Sequence, residues 1–235
     1  MIWTNSKYVG DGDVFLATNK NYKYIDLNLL KKVSEIVFVS DENKYIYDNY
    51  YDKIKALKLI GITGTNGKTT TCYLIYQMLN LIGIKTAYIG TIGFYIDEMV
   101  FKLDNTTPEI SLLYNMLYYA KKRKCKVVVM EVSSHALKQD RTYGLLFDSV
   151  LVTNITRDHL DYHKTLKDYI KSKQKLIYLT RGKKICILNK KDKYYKKFKI
   201  KDNNNLIIGK NVKITLVLMN SSNTYVVVKD AVKRC

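Results

Sequence analysis

The chain has 235 residues, of which 47% are hydrophobic and 26% are charged, a composition typical of a globular protein with a hydrophobic core. A single proline and 11 glycines exclude a collagen-like or proline-rich disordered chain, and no apolar run approaches the roughly 18 residues of a membrane span. The four cysteines form no CxxC pair and the first residues lack the pattern of a secretory signal, so the expected location is the reducing cytoplasm.

The strongest bias is a formal net charge of +19, from 40 lysine and arginine residues against 21 aspartate and glutamate residues. A basic chain can neutralise nucleic-acid phosphates, and this alternative stays open. The lysines are scattered over both halves, however, with clusters at 121–126 and 190–201. We interpret the charge as a solvated basic surface, which argues against a nucleic-acid partner.

The first part of the chain predicts a small α/β domain. Residues 14–18 (VFLAT) and 35–40 (EIVFVS) are expected to be strands between polar turns. The tyrosine-rich stretch that follows is expected to begin as a loop and to enter a helix or a connection near Asp48. We place a boundary there, so that an N-terminal domain over residues 1–55 precedes a central domain over residues 56–235.

In the second part, apolar strands alternate with amphipathic helices. Continuous Val/Ile runs in such an alternation predict a mostly parallel sheet covered on both faces. Strands are predicted over 57–63, 85–93, 126–131, 149–155 and 183–189, helices over 69–83, 110–122 and 169–179, and two further strands around an SSN turn within 214–230.

The helix predicted over residues 69–83 is amphipathic. Its apolar residues recur at spacings of three and four, which is typical of a helix with one face on a sheet, and Gly83 is a suitable end. The residues expected on this buried face are Leu74, Ile75, Met78, Leu79 and Ile82.

The sequence GITGTNGKTTT joins a predicted buried strand to this helix. Glycines in that position let the backbone approach a polyphosphate, and the amides at the helix start point towards it. Lys68 is placed to reach the terminal phosphates, and the Thr69 hydroxyl to coordinate Mg²⁺. The strict P-loop spacing requires glycine at Ile62, so GTNGKT, with Gly64 three positions before Gly67, is a variant. We predict nucleotide binding; the alternative is a glycine-rich turn with an exposed lysine.

Three further motifs accompany this loop: NTTPE (105–109), MEVSSHALKQDR (130–141) and TRDHLDYHKTLKDYIKSK (156–173). Together with GTNGKTTT and the early segment NSKYVGDGDVFLA, they resemble the Mur ligase family, most nearly its UDP-N-acetylmuramoyl-tripeptide synthetase branch. The segment ILNKKD resembles that family's Asn-x-Asp-Asp segment, with Lys191 in place of the first Asp. The resemblance implies a P-loop central domain with a mostly parallel sheet, preceded by an incomplete N-terminal UDP-sugar-binding domain.

The reaction implied by this resemblance belongs to peptidoglycan precursor synthesis in the cytoplasm. ATP phosphorylates the free γ-carboxylate of UDP-MurNAc-L-Ala-D-Glu, and a diamino acid, meso-diaminopimelate or L-lysine, attacks the acyl phosphate to form an amide. Such catalysis rests on positioning and charge neutralisation, because two anions must meet. ATP and Mg²⁺ are the implied cofactors, and the UDP-sugar dipeptide and the diamino acid are the implied partners.

The resemblance also assigns roles to individual residues. The implied catalytic residues are Lys68, His159 and Lys173, the last carrying a CO₂-derived carbamate, which forms only on a neutral amine. The implied Mg²⁺ ligands are Thr69, Glu131, His159 and Lys173. From the sequence alone, Glu131 could equally cap the SSHAL helix, His159 could be a loop or core histidine, and Lys173 could be exposed. The residues implied to bind ATP are Gly64, Thr65, Asn66, Gly67, Lys68, Thr69 and Thr70.

Seven polar residues match family positions that hold the UDP-MurNAc-dipeptide. Hydroxyl and amide side chains with one arginine suit a polyanionic ligand, although such residues are also typical of turns and helix caps. We interpret His135 and His163 as structural. Asp158 and Asp161 are expected to orient His159. The residues at the substrate positions are Ser6, Asn105, Thr106, Thr107, Ser133, Gln139 and Arg141.

Two departures from the family pattern shape the remaining expectations. The glycine-rich substrate loop expected after VFLA is replaced by TNKNYKYID, and the chain ends before the family's third domain, which supplies the amino-acid pocket. We therefore expect weak ATP binding and no ligase turnover by this chain alone, unless a second chain supplies that domain. The alternatives are another Mur or folylpolyglutamate-type ligase, or a non-catalytic nucleotide-binding remnant.

Overall fold

The computed structural model describes residues 1–199, 205–208, 217–219 and 225–227. The first part of the chain forms a small three-stranded parallel sheet with two α-helices and two 3₁₀ turns, which confirms both predicted strands there. Its elements are β1 (Ile2–Trp3), β2 (Val14–Ala17), α1 (Leu27–Lys32), β3 (Glu35–Phe38) and α2 (Glu42–Ile54), with the 3₁₀ turns at Ser6–Tyr8 and Tyr22–Tyr24.

The following part is built on an eight-stranded sheet. Its strands are β4 (Lys58–Thr63), β5 (Thr86–Gly90), β6 (Gly93–Ile96), β7 (Glu98–Phe101), β8 (Val127–Glu131), β9 (Phe147–Val152), β10 (Thr180–Asn189) and β11 (Asn205–Ile208). Its helices are α3 (Lys68–Leu81), α4 (Ile110–Lys122), α5 (Ser134–Lys138), α6 (Leu160–His163) and α7 (Leu166–Tyr178), with a 3₁₀ turn at Tyr195–Phe198.

The strands of this sheet lie in the order β11-β10-β9-β4-β8-β5-β6-β7. All neighbours are parallel except the pairs β5–β6 and β6–β7. The five residues of β8 are all buried, as expected for a strand covered on both faces. The predicted α/β class with a mostly parallel sheet is therefore confirmed.

A continuous apolar core joins the two parts of the chain. Phe15 of β2 and Ile46 of α2 belong to the same buried cluster as Leu113 of α4 and Val128 of β8. Helix α2 packs on α4, where the Tyr50 hydroxyl donates a hydrogen bond to Asn115. The domain boundary at residue 56 stays a prediction, because burial does not separate the two parts.

The predicted entry into the first long helix is wrong. We placed it near Asp48, but α2 begins at Glu42. Asp41 caps the helix by accepting the backbone N–H of Lys44 at 3.0 Å, which satisfies a donor that the helix itself leaves unpaired. The buried Ile46, Tyr50 and Ile54 then follow at four-residue spacing. Tyrosines at both buried and exposed positions of this segment make its four-residue spacing hard to recognise in the sequence.

The predicted buried face of α3 is also wrong in part. Leu74 and Ile82 are exposed and Met78 is half-buried, whereas Ile75 and Leu79 are buried as expected. Compared with the prediction, α3 is rotated about its axis. Thr69 in its first turn faces the end of β8, and the residues three and seven positions later therefore also face the sheet. The residues that form the buried face are Cys72, Ile75, Tyr76 and Leu79.

The single strand predicted over residues 85–93 is two strands. The chain reverses between Gly90 and Gly93, which pair across the antiparallel β5–β6 hairpin, and Gly93 has a φ of +130°. The following strand β7 was not predicted. Strand β9 ends at Val152, so that the last three residues of the predicted strand 149–155 form a loop.

The final strand pair is confirmed as far as it is described. Strands β12 (Val217–Met219) and β13 (Tyr225–Val227) pair antiparallel, and the predicted SSN turn between them lies outside the described residues. In the described ranges, no helix combines the length and the apolar character needed to cross a bilayer.

Candidate active site

The phosphate loop (residues 64–70) lies where the central strand of the sheet ends. Strand β4 pairs with β8 through Ile62 and Glu131, and with β9 through Thr63 and Val152. The carboxyl ends of three neighbouring parallel strands therefore meet at one edge. Ligands bind at this edge in open α/β sheets, and α3 begins there at Lys68.

The loop is held rigidly against the connection that follows β9. Thr65 donates its N–H to the carbonyl of Asn154 at 2.8 Å, and Asn66 donates its N–H to the Asn154 side chain at 3.0 Å. The Thr153 hydroxyl donates to the carbonyl of Asn66 at 2.7 Å. Gly64 has a φ of +144° and lies so close to Thr153 that a Cβ atom would overlap its hydroxyl. Only glycine fits there.

Lys68 folds back over this loop. Its ammonium group donates to the carbonyls of Gly64 at 2.9 Å and Thr65 at 2.8 Å. Burial lowers the pKa of Lys68, and the charges of Glu131 and Asp158 partly oppose that shift. A half-buried cation thus contacts the backbone that the sequence assigns to phosphate binding. Thr70 follows in the first turn of α3.

Glu131 is the polar centre of the edge and is completely buried at the end of β8. One carboxylate oxygen accepts the Tyr88 hydroxyl at 2.6 Å and the N–H of Thr91 at 2.9 Å. The other accepts the hydroxyls of Thr69 at 2.9 Å and Thr91 at 3.2 Å. The alternative that Glu131 caps α5 is wrong, because Ser133 caps that helix with its own side chain.

The carboxylate of Glu131 and the hydroxyl of Thr69 are suitable ligands for a hard divalent cation. Among the described residues, Glu131 has no lysine or arginine within ion-pair distance, and its four hydrogen-bond donors are all neutral. No group of three or more His, Cys, Asp or Glu side chains able to hold a metal occurs in the described ranges. One carboxylate and one hydroxyl suit Mg²⁺, which keeps waters and uses substrate phosphates as its remaining ligands. Glu131 and Thr69 are the residues that would hold it.

Lys173 is buried, so the alternative of an exposed lysine is wrong. Only 1% of its surface is accessible. Its amine donates to the carbonyl of Gly64 at 2.8 Å and to the Thr63 hydroxyl at 3.5 Å, and it lies 4.6 Å from the centre of the Tyr169 ring. Burial and the nearby charge of Lys68 hold the pKa of Lys173 well below its ordinary value. This favours the neutral amine.

His159 occupies a loop position beside this edge. It has a left-handed backbone with a φ of +51°, its side chain is half exposed, and its ring contacts His135 at 4.8 Å between centres. Asp158 accepts its backbone N–H at 2.9 Å and lies 3.4 Å from its Nε2 atom. Within the described residues, His159 makes no hydrogen bond or ion pair to Thr69, Glu131 or Lys173, so its metal role stays a prediction.

The other two histidines differ in their surroundings. His163 is buried, accepts or donates a hydrogen bond at 2.9 Å to Ser134, and lies 3.5 Å from Asp168. Burial lowers the pKa values of both His135 and His163. The contacts of His163 join α5, α6 and α7, which agrees with its interpretation as a structural residue.

Three of the predicted substrate residues share one cavity. Ser6, Gln139 and Arg141 line a space of about 570 Å³ between the N-terminal part and the residues at the start of α4 and after α5. Its wall also contains Lys20, Glu42 and Glu109, so its charge is mixed. The N-terminal segment and the loop after α5 are far apart in sequence and meet only in the fold.

The remaining predicted substrate residues lie between this cavity and the buried carboxylate. The Thr107 hydroxyl donates to the backbone carbonyl of Glu131 at 2.9 Å and accepts the N–H of Ser133 at 3.0 Å. Arg141 donates to the carbonyl of Thr107 at 2.7 Å. The Thr106 hydroxyl lies 3.0 Å from that of Thr91, and Asn105 is exposed. Thr107 and Ser133 thus have internal partners, and substrate contact by this group stays a prediction.

Several residues at this edge were missed by sequence reasoning. Tyr88 and Thr91 hold Glu131, Asn154 holds the phosphate loop, and the Tyr169 hydroxyl lies 3.0 Å from that of Thr65. Asp192, at the end of ILNKKD, accepts the N–H of Ile155 at 2.6 Å. Only Asp192 had a signal in the sequence, because the others act through contacts between distant segments.

A glycine-containing loop between a buried parallel strand and a helix, with a lysine over the loop and a buried carboxylate on the next strand, defines an α/β fold of the P-loop class. Comparison with known proteins makes this more specific. Residues 62–226 match the Mur ligase middle domain. The chain belongs to the Mur ligase family.

Two curated relatives with similar sequences are named as ligases of the same activity. The chain is 44% identical over 163 residues to UDP-N-acetylmuramoyl-L-alanyl-D-glutamate–2,6-diaminopimelate ligase 1 of Clostridium acetobutylicum, covering 68% of this chain and 33% of the relative. The ligase of that name from Aquifex aeolicus is 36% identical over 217 residues, covering 83% of this chain and 45% of the relative. The chain therefore spans less than half the length of these relatives.

Solved structures of the family share the fold. A UDP-N-acetylmuramoyl-L-alanyl-D-glutamate–2,6-diaminopimelate ligase superposes with a TM-score of 0.68 at 24% identity, over 88% of this chain and 48% of that one. The MurF ligase of Thermotoga maritima in complex with ADP gives a TM-score of 0.65 at 18% identity, over 92% of this chain and 52% of that one. At these identities the likeness supports the fold alone.

Proposed function

We propose that this chain carries the nucleotide site of an ATP-dependent ligase that joins a diamino acid to UDP-MurNAc-L-Ala-D-Glu. The observation that carries the proposal is the hydrogen bond of 2.9 Å between Thr69, in the first turn of the phosphate-loop helix, and the buried Glu131. A P-loop hydroxyl and a carboxylate on the neighbouring strand are the pair that holds Mg²⁺ beside nucleotide phosphates. The names of the curated relatives support the same activity.

The roles of the chain's own residues follow from their positions. The loop amides and Lys68 bind the ATP phosphates, with Lys68 leaving the carbonyls that it now contacts. Thr69 and Glu131 hold Mg²⁺, which supplies charge neutralisation between the phosphates and the acceptor carboxylate. The hydrogen bonds of Thr65 and Asn66 to Asn154 hold the loop in place, so that the bound phosphates are positioned for the reaction. The γ-carboxylate then takes the terminal phosphoryl group of ATP, which releases ADP and gives an acyl phosphate. The amine of the diamino acid attacks its carbonyl carbon, so that an amide bond forms and phosphate and a proton are released.

Lys173 has a further role in this proposal. Its neutral amine adds to CO₂, forming an N–C bond and releasing one proton, and the resulting carbamate is an anion with two oxygens. Such a group places a second negative charge next to Gly64 and can serve as a ligand for a second cation. The buried position and lowered pKa of the amine support this chemistry. His159 is the proposed neighbouring ligand.

The UDP-sugar dipeptide binds, in this proposal, along the line from the cavity to Glu131. Ser6, Gln139 and Arg141 contact it in the cavity, and the segment from Asn105 to Thr107 leads from there to the carboxylate edge. We assign the selection of meso-diaminopimelate or L-lysine to a further domain, whether it belongs to this protein or to a second chain. Cytoplasmic precursors as substrates imply a cytoplasmic location.

The test is nucleotide binding followed by turnover. ATP binding to the full chain is measured with Mg²⁺ and with EDTA, and ADP formation is measured with UDP-MurNAc-L-Ala-D-Glu and each diamino acid. Lys68→Ala should weaken Mg²⁺–ATP binding by about 100-fold, whereas Lys171→Ala, an exposed lysine on α7, should leave it unchanged. Equal binding by both variants would contradict the proposal.

The same assay separates the alternatives. The solved structure of FolC from Escherichia coli shares the fold, with a TM-score of 0.52 at 16% identity over 72% of this chain and 46% of that one. ADP formation with a folate acceptor instead of the UDP-sugar would favour the alternative of a folylpolyglutamate-type ligase. Mg²⁺-dependent ATP binding without ADP formation, even after a third domain is added, would indicate a non-catalytic remnant. DNA retention that persists in Lys68→Ala would favour a nucleic-acid binder.

A further inference from the structure

The four hydrogen bonds to Glu131 divide its carboxylate unequally. One oxygen, Oε1, accepts from the Tyr88 hydroxyl at 2.6 Å and from the N–H of Thr91 at 2.9 Å. The other, Oε2, accepts two threonine hydroxyls, of Thr69 at 2.9 Å and Thr91 at 3.2 Å. A hydroxyl can rotate to present its oxygen to a cation. A phenol at 2.6 Å and a backbone amide cannot be displaced so easily.

Gly90 makes this arrangement sterically possible. A Cβ atom at that position would overlap both the Tyr88 hydroxyl and Oε1 of Glu131, and would lie 2.7 Å from the Cζ atom of Tyr88. The backbone of β5 therefore leaves the space in which phenol and carboxylate meet. Gly90 has no left-handed φ, so its glycine is required by close approach and not by backbone conformation.

The ring of Tyr88 is fixed by its neighbours. It packs edge-on against Tyr73 at 5.6 Å and Tyr95 at 5.9 Å between ring centres, and it is completely buried. In the described part of the chain, Tyr88 is the member of this aromatic cluster that hydrogen-bonds to Glu131. The packing of the ring therefore fixes the position of the Tyr88 hydroxyl next to Glu131.

We propose that Tyr88 is a positioning residue that, with the Thr91 amide, reserves Oε1 of Glu131 and so makes the site select Mg²⁺ over Ca²⁺. The inference rests on the proposed function. Mg²⁺ requires near-octahedral geometry and takes one oxygen from a carboxylate, whereas Ca²⁺ accepts six to eight ligands and often binds both oxygens of one carboxylate. A carboxylate with one oxygen occupied is suited to the first ion and poorly suited to the second.

The experiment titrates MgCl₂ or CaCl₂ into the full chain with a fluorescent ATP analogue, and measures the half-saturating metal concentration for nucleotide binding. Tyr88→Phe should raise the half-saturating Mg²⁺ concentration by about tenfold and should leave or lower that of Ca²⁺. Gly90→Ala, which forces the same contact apart, should give the same change. Tyr95→Phe is the matched control, because it removes a phenol from the same cluster without touching Glu131, and it should behave as wild type.

Each outcome decides the question. A structural role alone would shift both metals equally, or would weaken nucleotide binding in EDTA as well, and either result would overturn the proposal. Identical metal selectivity in Tyr88→Phe and Tyr95→Phe would overturn it too, while leaving the nucleotide site intact. Metal-independent nucleotide binding by the wild-type chain would overturn the proposed function together with this inference.

Discussion

The nucleotide region (residues 64–70, Glu131 and Lys173) and the cavity region (Ser6, Gln139 and Arg141) are built differently. Glu131 is 0% exposed and Lys173 is 1% exposed. The phosphate loop is hydrogen-bonded to Asn154, Thr153 and Lys173. In the cavity region, Ser6 and Arg141 are half-buried and Gln139 is exposed. The first region therefore contains buried ionisable groups held by internal hydrogen bonds, whereas the cavity residues are partly open to solvent.

This difference in burial determines how strongly each region responds to the loss of a contact. A buried ionisable group interacts strongly with its neighbours because the local dielectric is low, and each unsatisfied partner is costly. The nucleotide region therefore tolerates few changes. A solvated cavity of mixed charge loses less when one contact is removed, since water replaces it. Substitutions should have large effects in the first region and small effects in the second.

The largest expected effect is the complete loss of the proposed carbamate when Lys173 is replaced. In ¹³C-bicarbonate near neutral pH, the wild-type chain should give a lysine carbamate signal, and Lys173→Gln should lose that signal completely. The signal should fall as pH decreases through the lowered pKa of Lys173, since only the neutral amine reacts. Exposed lysines remain protonated until pH about 10.4. NMR spectroscopy with Lys171→Gln as control checks this, and a signal that persists in Lys173→Gln would contradict it.

A smaller effect is expected from the glycines of the loop. Gly64→Ala should lower the free energy of unfolding by about 3 kcal/mol, because the new Cβ overlaps Thr153 and φ is positive. Gly67→Ala should cost about 1 kcal/mol, because its Cβ meets nothing within 4 Å and only its φ of +79° is unfavourable. Urea unfolding measures both. If the two variants were equally stable, the loop would not be packed as rigidly as the comparison requires.

The smallest expected effect lies in the cavity region. Arg141→Ala should weaken binding of UDP-MurNAc-L-Ala-D-Glu by about tenfold, since a charged hydrogen-bond donor is lost from a solvated wall. ATP binding should stay unchanged. Arg123→Ala, at the exposed end of α4, is the control in the same calorimetric titration. A loss of ATP affinity in Arg141→Ala would show that the two regions are coupled and would break the distinction between them.

Local sequence was sufficient for most of the framework. The helix Ile110–Lys122 was predicted with its observed ends, and the strand, loop and helix around Lys68 were predicted because glycines, apolar runs and helix periodicity are local signals. The predicted start of α2 and the predicted buried face of α3 were wrong. Helix α2 begins earlier than predicted, at the cap that Asp41 provides, and the face of α3 follows the contact of Thr69 with Glu131.

The sequence by itself determined the mostly parallel α/β fold and the phosphate loop, and it pointed to Lys68, Thr69 and Glu131 as polar residues of the site. Only the tertiary structure decided that Lys173 is buried against Gly64, that Tyr88 holds Glu131, and that Ser6 meets Arg141 in one cavity. The reason is physical: these contacts depend on strand register and on packing between segments distant in the chain. Neither composition nor periodicity contains that information.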